Sequence, residues 1–150
     1  METKIKTLIV VIIGMAFIAS CSDDGLFEEI RIPKWRVAKE IKSYVKTHFP
    51  NNDISKAFKE KDDGETKYDI HLKGKIELEF NAAYEIISIE SNKKLPNSVI
   101  PSAILEYVLG NYPNYDITDW ELKDYYQQIE LNNNLELEFD LKGNYLRMDD

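Results

Sequence analysis

The chain has little of what catalytic and cofactor-binding proteins use. Of its 150 residues one is cysteine, two are histidine, six are glycine and five are proline. The single cysteine, Cys21, excludes an intrachain disulfide and any Cys-x-x-Cys site. The histidines, His48 and His71, stand at no metal-ligand spacing, and His-Glu-x-x-His is absent. Neither a Gly-x-Ser-x-Gly elbow nor a phosphate-cradling glycine loop occurs. Without a usable thiol, or a histidine beside an obvious nucleophile, covalent catalysis has little to work with. The expected catalytic, metal and cofactor sets are each empty. Long apolar runs are also missing: Leu8 to Ile18 is too short to span a bilayer comfortably. Positive charge is scarce, with 19 Lys and Arg against 27 Asp and Glu, a net −8. Such a chain repels nucleic acid and anionic headgroups, so nucleic acid is not an expected partner.

What is there begins with an address. Lys4 and Lys6 precede the apolar run, which ends in Ile18-Ala19-Ser20-Cys21. Residues 1–20 read as a signal peptide. Small residues before a cysteine resemble the lipobox of bacterial lipoproteins, which implies cleavage before Cys21 and acylation of its thiol. An ordinary secretory signal leaving a free thiol is the other reading. Each buried acyl CH₂ adds ~0.8 kcal/mol, so several chains make a stable anchor. Ser22-Asp23-Asp24-Gly25 and Glu28-Glu29 resemble the acidic tether of Bacteroidetes-type lipoproteins, and residues 21–31 are read as that tether or as a plain solvated linker. Losing residues 1–20 removes Lys4, Lys6 and Glu2, a net +1, and leaves −9. Lipid rather than charge is then expected to hold the protein at a bacterial outer membrane, facing periplasm or cell surface.

The remainder repeats itself. Ile41-Lys42-Ser43-Tyr44-Val45 through Phe49-Pro50-Asn51 returns as Ile104-Leu105-Glu106-Tyr107-Val108 through Tyr112-Pro113-Asn114, 63 residues on. Ile70-His71-Leu72 and Ile76-Glu77-Leu78-Glu79-Phe80 return as Ile129-Glu130-Leu131 and Leu135-Glu136-Leu137-Glu138-Phe139, 59 residues on. The first copy carries four extra residues, most simply near Asp62-Asp63-Gly64-Glu65. One supersecondary unit is duplicated, over 32–91 and 92–150. A lone unit of ~60 residues is marginal, so the copies are expected to share a core.

Val37, Ile41, Tyr44, Val45 and His48 recur at helical steps, as do Ile100, Ile104, Tyr107, Val108 and Asn111. Pro101 falls inside the second helix by this reading, tolerable if Ser98 caps its start. Strands alternate over 68–72, 76–80, 85–89, 127–131, 135–139 and 145–148, with first strands near 54–58 and 117–122. The fold class is α+β: two tandem repeats, each one helix packed on an antiparallel sheet of about four strands, with the other sheet face wet.

Leu95-Pro96 or Ile32-Pro33, a helix, Phe49-Pro50 or Tyr112-Pro113, a Tyr-x-Ile-x-Leu strand and Glu-Leu-Glu-Phe-Asn/Asp together resemble the PepSY-like, β-lactamase-inhibitor-like family of Bacteroidetes envelope proteins. The resemblance covers 32–148. It implies tandem helix-plus-sheet repeats forming a concave sheet, in modules that bind or inhibit secreted hydrolases. Gln127 departs from the pattern, standing where the first copy has Tyr68.

Glu77 and Glu79 share one strand face, as do Glu136 and Glu138. They are a solvated face, a docking surface for a basic partner, or a cation site. Trp120 replaces Ala57, and Tyr126 replaces Lys67 on the open face. These aromatics pack over the seam between repeats or anchor a partner. The expected function is a lipid-anchored envelope module, not an enzyme, that binds an unknown envelope or secreted protein and inhibits a secreted hydrolase. Trp120, Tyr126, Glu77, Glu79, Glu136 and Glu138 would form its binding face. The alternative is a small-ligand or cation sensor.

Overall fold

A computed structural model describes residues 28–62 and 64–149. The signal segment, Cys21 and most of the tether lie outside them. Nine strands run in chain order across one antiparallel sheet: β1 (Glu28–Arg31), β2 (Ile54–Asp62), β3 (Glu65–Leu72), β4 (Ile76–Phe80), β5 (Ile86–Ser91), β6 (Ile117–Leu122), β7 (Tyr126–Leu131), β8 (Glu136–Asp140) and β9 (Tyr145–Asp149). Helix α1 (Lys39–His48) precedes β2, and α2 (Ser102–Asn111) precedes β6. Each helix follows a short 3₁₀ turn, Lys34–Arg36 or Asn97–Val99.

Apolar periodicity builds one core. α1 buries Ile41 and Val45, and α2 buries Ile104 and Val108. Ile70, Leu78, Ile89, Ile129 and Leu137 cover the sheet's side of it and are fully buried. Each such side chain contributes about 1.5–3 kcal/mol when removed from water. Tyr44 meets Phe80 edge-on, and the repeat-equivalent Tyr107 meets Phe139 in the same way. Both helices therefore lie on the same sheet face.

The repeats join by strand pairing. Ser88, Ile89 and Glu90 of β5 face Glu121, Trp120 and Asp119 of β6. The extra residues of the first copy lengthen the β2–β3 hairpin, whose pairing runs on to Asp62 and Glu65. That added length supplies β1 with its partner, since Glu28 to Arg31 pair with Lys61 to Phe58. The end of the segment read as tether is thus an edge strand.

Pro101 does not interrupt a helix. It holds the N-cap position of α2 at φ −53° and ψ 135°, just outside the helical residues. Its fixed φ and missing N–H are harmless there. Ser98 does not cap α2; its hydroxyl lies 3.0 Å from Nδ1 of His48. His48, at the end of α1, thereby ties the first helix to the turn before the second.

Candidate binding face

Among the described residues no helix covers the second face of the sheet. Strand pairing arranges its side chains in two rows that cross the repeat junction. One row runs Phe58, Asp69, Glu79, Ser88, Glu121, Gln128, Glu138 and Arg147. The other runs Lys56, His71, Glu77, Glu90, Asp119, Glu130 and Glu136. From Glu77 to Glu136 it consists of five carboxylates, each directly opposite the next from β4 to β8, and the register continues to Asp149 of β9. Strands stand ~4.8 Å apart, so these five form a line of roughly 19 Å. Like charges directly opposite each other destabilise a sheet.

The two rows differ in their electrostatics. Carboxylates of the first row have cations of their own. Glu79 lies 2.8 Å from Lys67. Glu138 is buried and takes two hydrogen bonds from Arg147, at 2.7 and 2.9 Å. That pairing holds the Glu138 carboxyl below its usual range. In the second row His71 flanks the first carboxylate, with Nε2 2.8 Å from Asp69 and Nδ1 3.1 Å from Glu77. At the other end Gln128 donates to Glu136. Asp119, in the middle, is pushed up to about 7 by burial first and then by Glu90, Glu121 and Glu130. Asp69 is raised too, by burial, against the opposing pull of His71. Glu60, Asp69, Glu77, Glu79, Ser88 and Glu90 rim a shallow depression of about 190 Å³.

Among the described residues no group of three or more His, Cys, Asp or Glu side chains is arranged to hold a metal ion. A calcium site gathers six to eight oxygens within about 2.6 Å of one point. A line of single carboxylates on successive strands does not do that unaided.

The expected binding residues fall in four places. Glu77 and Glu136 belong to the carboxylate line, though at its opposite ends. Glu79 and Glu138 lie in the neighbouring row, each neutralised. Tyr126 is half-buried on the open face opposite Asp140, beside the exposed Tyr125. Trp120 is a correction: it is 6% exposed and belongs to the core. A β-bulge between Ile117 and Asp119 adds one residue and reverses the alternation. The bulge turns Trp120 toward the helices and Asp119 toward the open face. Asp119 therefore escapes a reading by simple alternation; for Glu90 the irregularity is the one in the β4–β5 pairing at Glu79/Phe80. Glu130, between the buried Ile129 and Leu131, alternates outward plainly, as does Glu136; Asp119 does not.

The family described as "Putative beta-lactamase-inhibitor-like, PepSY-like" matches residues 23–88 and again residues 66–147. A solved structure described as a "putative periplasmic protein" of the DUF2874 family, from Bacteroides vulgatus, is 27% identical with a TM-score of 0.76, covering 86% of this chain and 99% of its own. A "putative calcium-regulated periplasmic protein" from Bacteroides thetaiotaomicron is 25% identical with a TM-score of 0.77, covering 81% and 97%. A third, also from Bacteroides vulgatus and described as a "putative periplasmic protein of unknown function", is 29% identical with a TM-score of 0.77, covering 82% and 100%. No curated protein matches this chain. No helix among the described residues is long and apolar enough to cross a membrane.

Proposed function

Since the chain belongs to the PepSY-like family, in a tandem arrangement, we propose that it is a non-catalytic envelope module whose uncovered sheet face docks a basic protein. The observation that carries this reading is the line Glu77, Glu90, Asp119, Glu130 and Glu136. Five opposed carboxylates work against folding, and a partner that lays cations along them relieves the repulsion. The repeat junction serves this purpose, because pairing β5 with β6 joins Glu77 and Glu90 of the first copy to Asp119, Glu130 and Glu136 of the second. The family's description makes a secreted hydrolase the first class of partner to examine, with inhibition as the outcome of docking. Lipid at Cys21 would hold the module at the outer membrane.

Affinity capture tests the reading. The full chain is compared with a Glu90→Gln/Asp119→Asn/Glu130→Gln variant of unchanged circular dichroism, against envelope and secreted proteins of the source organism. A basic protein retained by the parent, released by moderate salt and lost by the variant is expected. Equal retention by both chains refutes it.

A second reading, calcium binding on the same face, is favoured by the description of the Bacteroides thetaiotaomicron relative. It predicts that millimolar calcium raises the melting temperature of the parent and not of the triple variant. No shift in the parent removes it.

A further inference from the structure

The net negative charge hides a segregated surface. On the helix side of the first repeat Lys34, Arg36, Lys39, Lys42 and Lys46 are all exposed. Residues 39, 42 and 46 fall on one stripe of α1. Trp35 stands among them, 73% exposed. The Arg36 guanidinium lies 4.7 Å from its ring centroid, and Lys42 Nζ donates to its carbonyl oxygen at 3.0 Å. The nearby acids are Glu40, 3.9 Å from Lys39, and Asp53, which pairs with Lys73 and also feels the charge of Lys34.

The second repeat serves as an internal control. The same turn and helix carry Asn97, Ser98, Val99, Ser102, Leu105 and Leu109 at the equivalent positions. The fold therefore forms without the aromatic or the cations, and packing does not explain them. An indole surrounded by Lys and Arg is the chemistry of a bilayer interface: the ring enters the headgroup layer while the cations meet anionic phosphates.

We propose that this patch seats the domain on an anionic phospholipid bilayer, with Trp35 entering the headgroup region. The orientation rests on the membrane-anchored reading above. From Cys21 to Glu28 the chain can reach only about 25 Å, and the patch follows β1 directly, at the tethered end. The carboxylate line lies beyond the helix layer, ~10 Å thick, on the opposite sheet face. Salt screens charges over ~8 Å, so the line does not cancel the local attraction. Docking in this way turns the open face outward, where a protein can reach it.

The test uses the full chain with vesicles of phosphatidylcholine alone, or mixed with phosphatidylglycerol, carrying brominated acyl chains as quenchers. Trp120 is buried and supplies a constant background. Trp35 fluorescence is expected to be quenched in the anionic vesicles and to recover in high salt. A Lys39→Glu/Lys42→Glu/Lys46→Glu variant should lower the anionic partition by at least about 100-fold, from about fivefold for each cation lost, with the repulsion of the three glutamates added to it. Trp35→Ser, which copies the second repeat, should remove the quenched component and leave the fold unchanged. Flotation with phosphatidylcholine alone reports the lipid anchor separately, whatever the patch does. Quenching independent of lipid charge, or unaltered by the lysine reversals, overturns the proposal. So does a patch occupied by the acidic face of a second copy, seen as self-association without vesicles that both the lysine reversals and the carboxylate variant abolish.

Discussion

The indole nitrogen of Trp120 donates to the side-chain oxygen of Gln127 at 3.1 Å, with both residues buried. In the first repeat their equivalents are Ala57 and Tyr68. A small residue and a large one have become a large residue and a smaller polar one, and the two exchanges account for each other. Gln127 also donates to the carbonyl oxygen of Asp140 at 3.1 Å. What read as a lapse in the repeat is a compensated pair at the junction of the two halves.

Breaking this pair should be costly and non-additive. Trp120→Ala empties a large buried volume and should cost about 3–5 kcal/mol. Gln127→Leu leaves a buried indole N–H without an acceptor, at about 1–3 kcal/mol. Urea unfolding of both single variants and the double variant checks this. The double variant should lose less than the sum of the two, because Trp120→Ala already removes the donor that Gln127→Leu strands.

Asp119 should make stability fall as pH rises. Its folded carboxyl holds a proton up to about 7, against 3.8 for an ordinary aspartate. Between those values the native state binds more protons than the unfolded one. This contribution is complete below 3.8 and is lost as pH rises through about 7. Asp119→Asn should match the parent at acid pH. Above neutrality it should exceed the parent by about 1–2 kcal/mol, a figure lowered for the partial exposure of the group. Thermal unfolding across this range reads the difference.

Gly143 should resist substitution. Its φ is +86°, and a Cβ there would stand 2.8 Å from the Cβ of Ala103 on α2. Gly143→Ala should cost about 2–4 kcal/mol, from strain and overpacking together. Gly64 is the control, with φ +87° and nothing within 4 Å of an added Cβ. Gly64→Ala should cost only the backbone part, about 1 kcal/mol. Urea midpoints of the two variants separate the terms.

Much of the fold was legible because helical and strand periods are local. Ile41, Val45, Ile104 and Val108 announce their helices, and Ile76–Phe80 its strand. β1 was not legible: Glu28-Glu29-Ile30-Arg31 has one apolar residue, and its pairing depends on the lengthened β2 in front of it. The candidate face was half legible. Glu77 and Glu136 alternate plainly with core residues. Glu90 and Asp119 depend on bulges at Glu79/Phe80 and Ile117/Asp119. The register between β5 and β6 then decides what stands opposite what. The burial of Trp120 follows from the same bulge.

The central claim is that a basic partner lies along the carboxylate line, and Asp119 is the natural probe of it. An NMR titration of its side-chain carboxyl carbon should be recorded on the free chain and on the complex with the captured protein. In the free chain the midpoint should lie at about 7. In the complex, cations along the line should bring it down toward the ordinary carboxylate range. A midpoint that stays near 7 in the complex would place the partner elsewhere on the molecule and contradict the account.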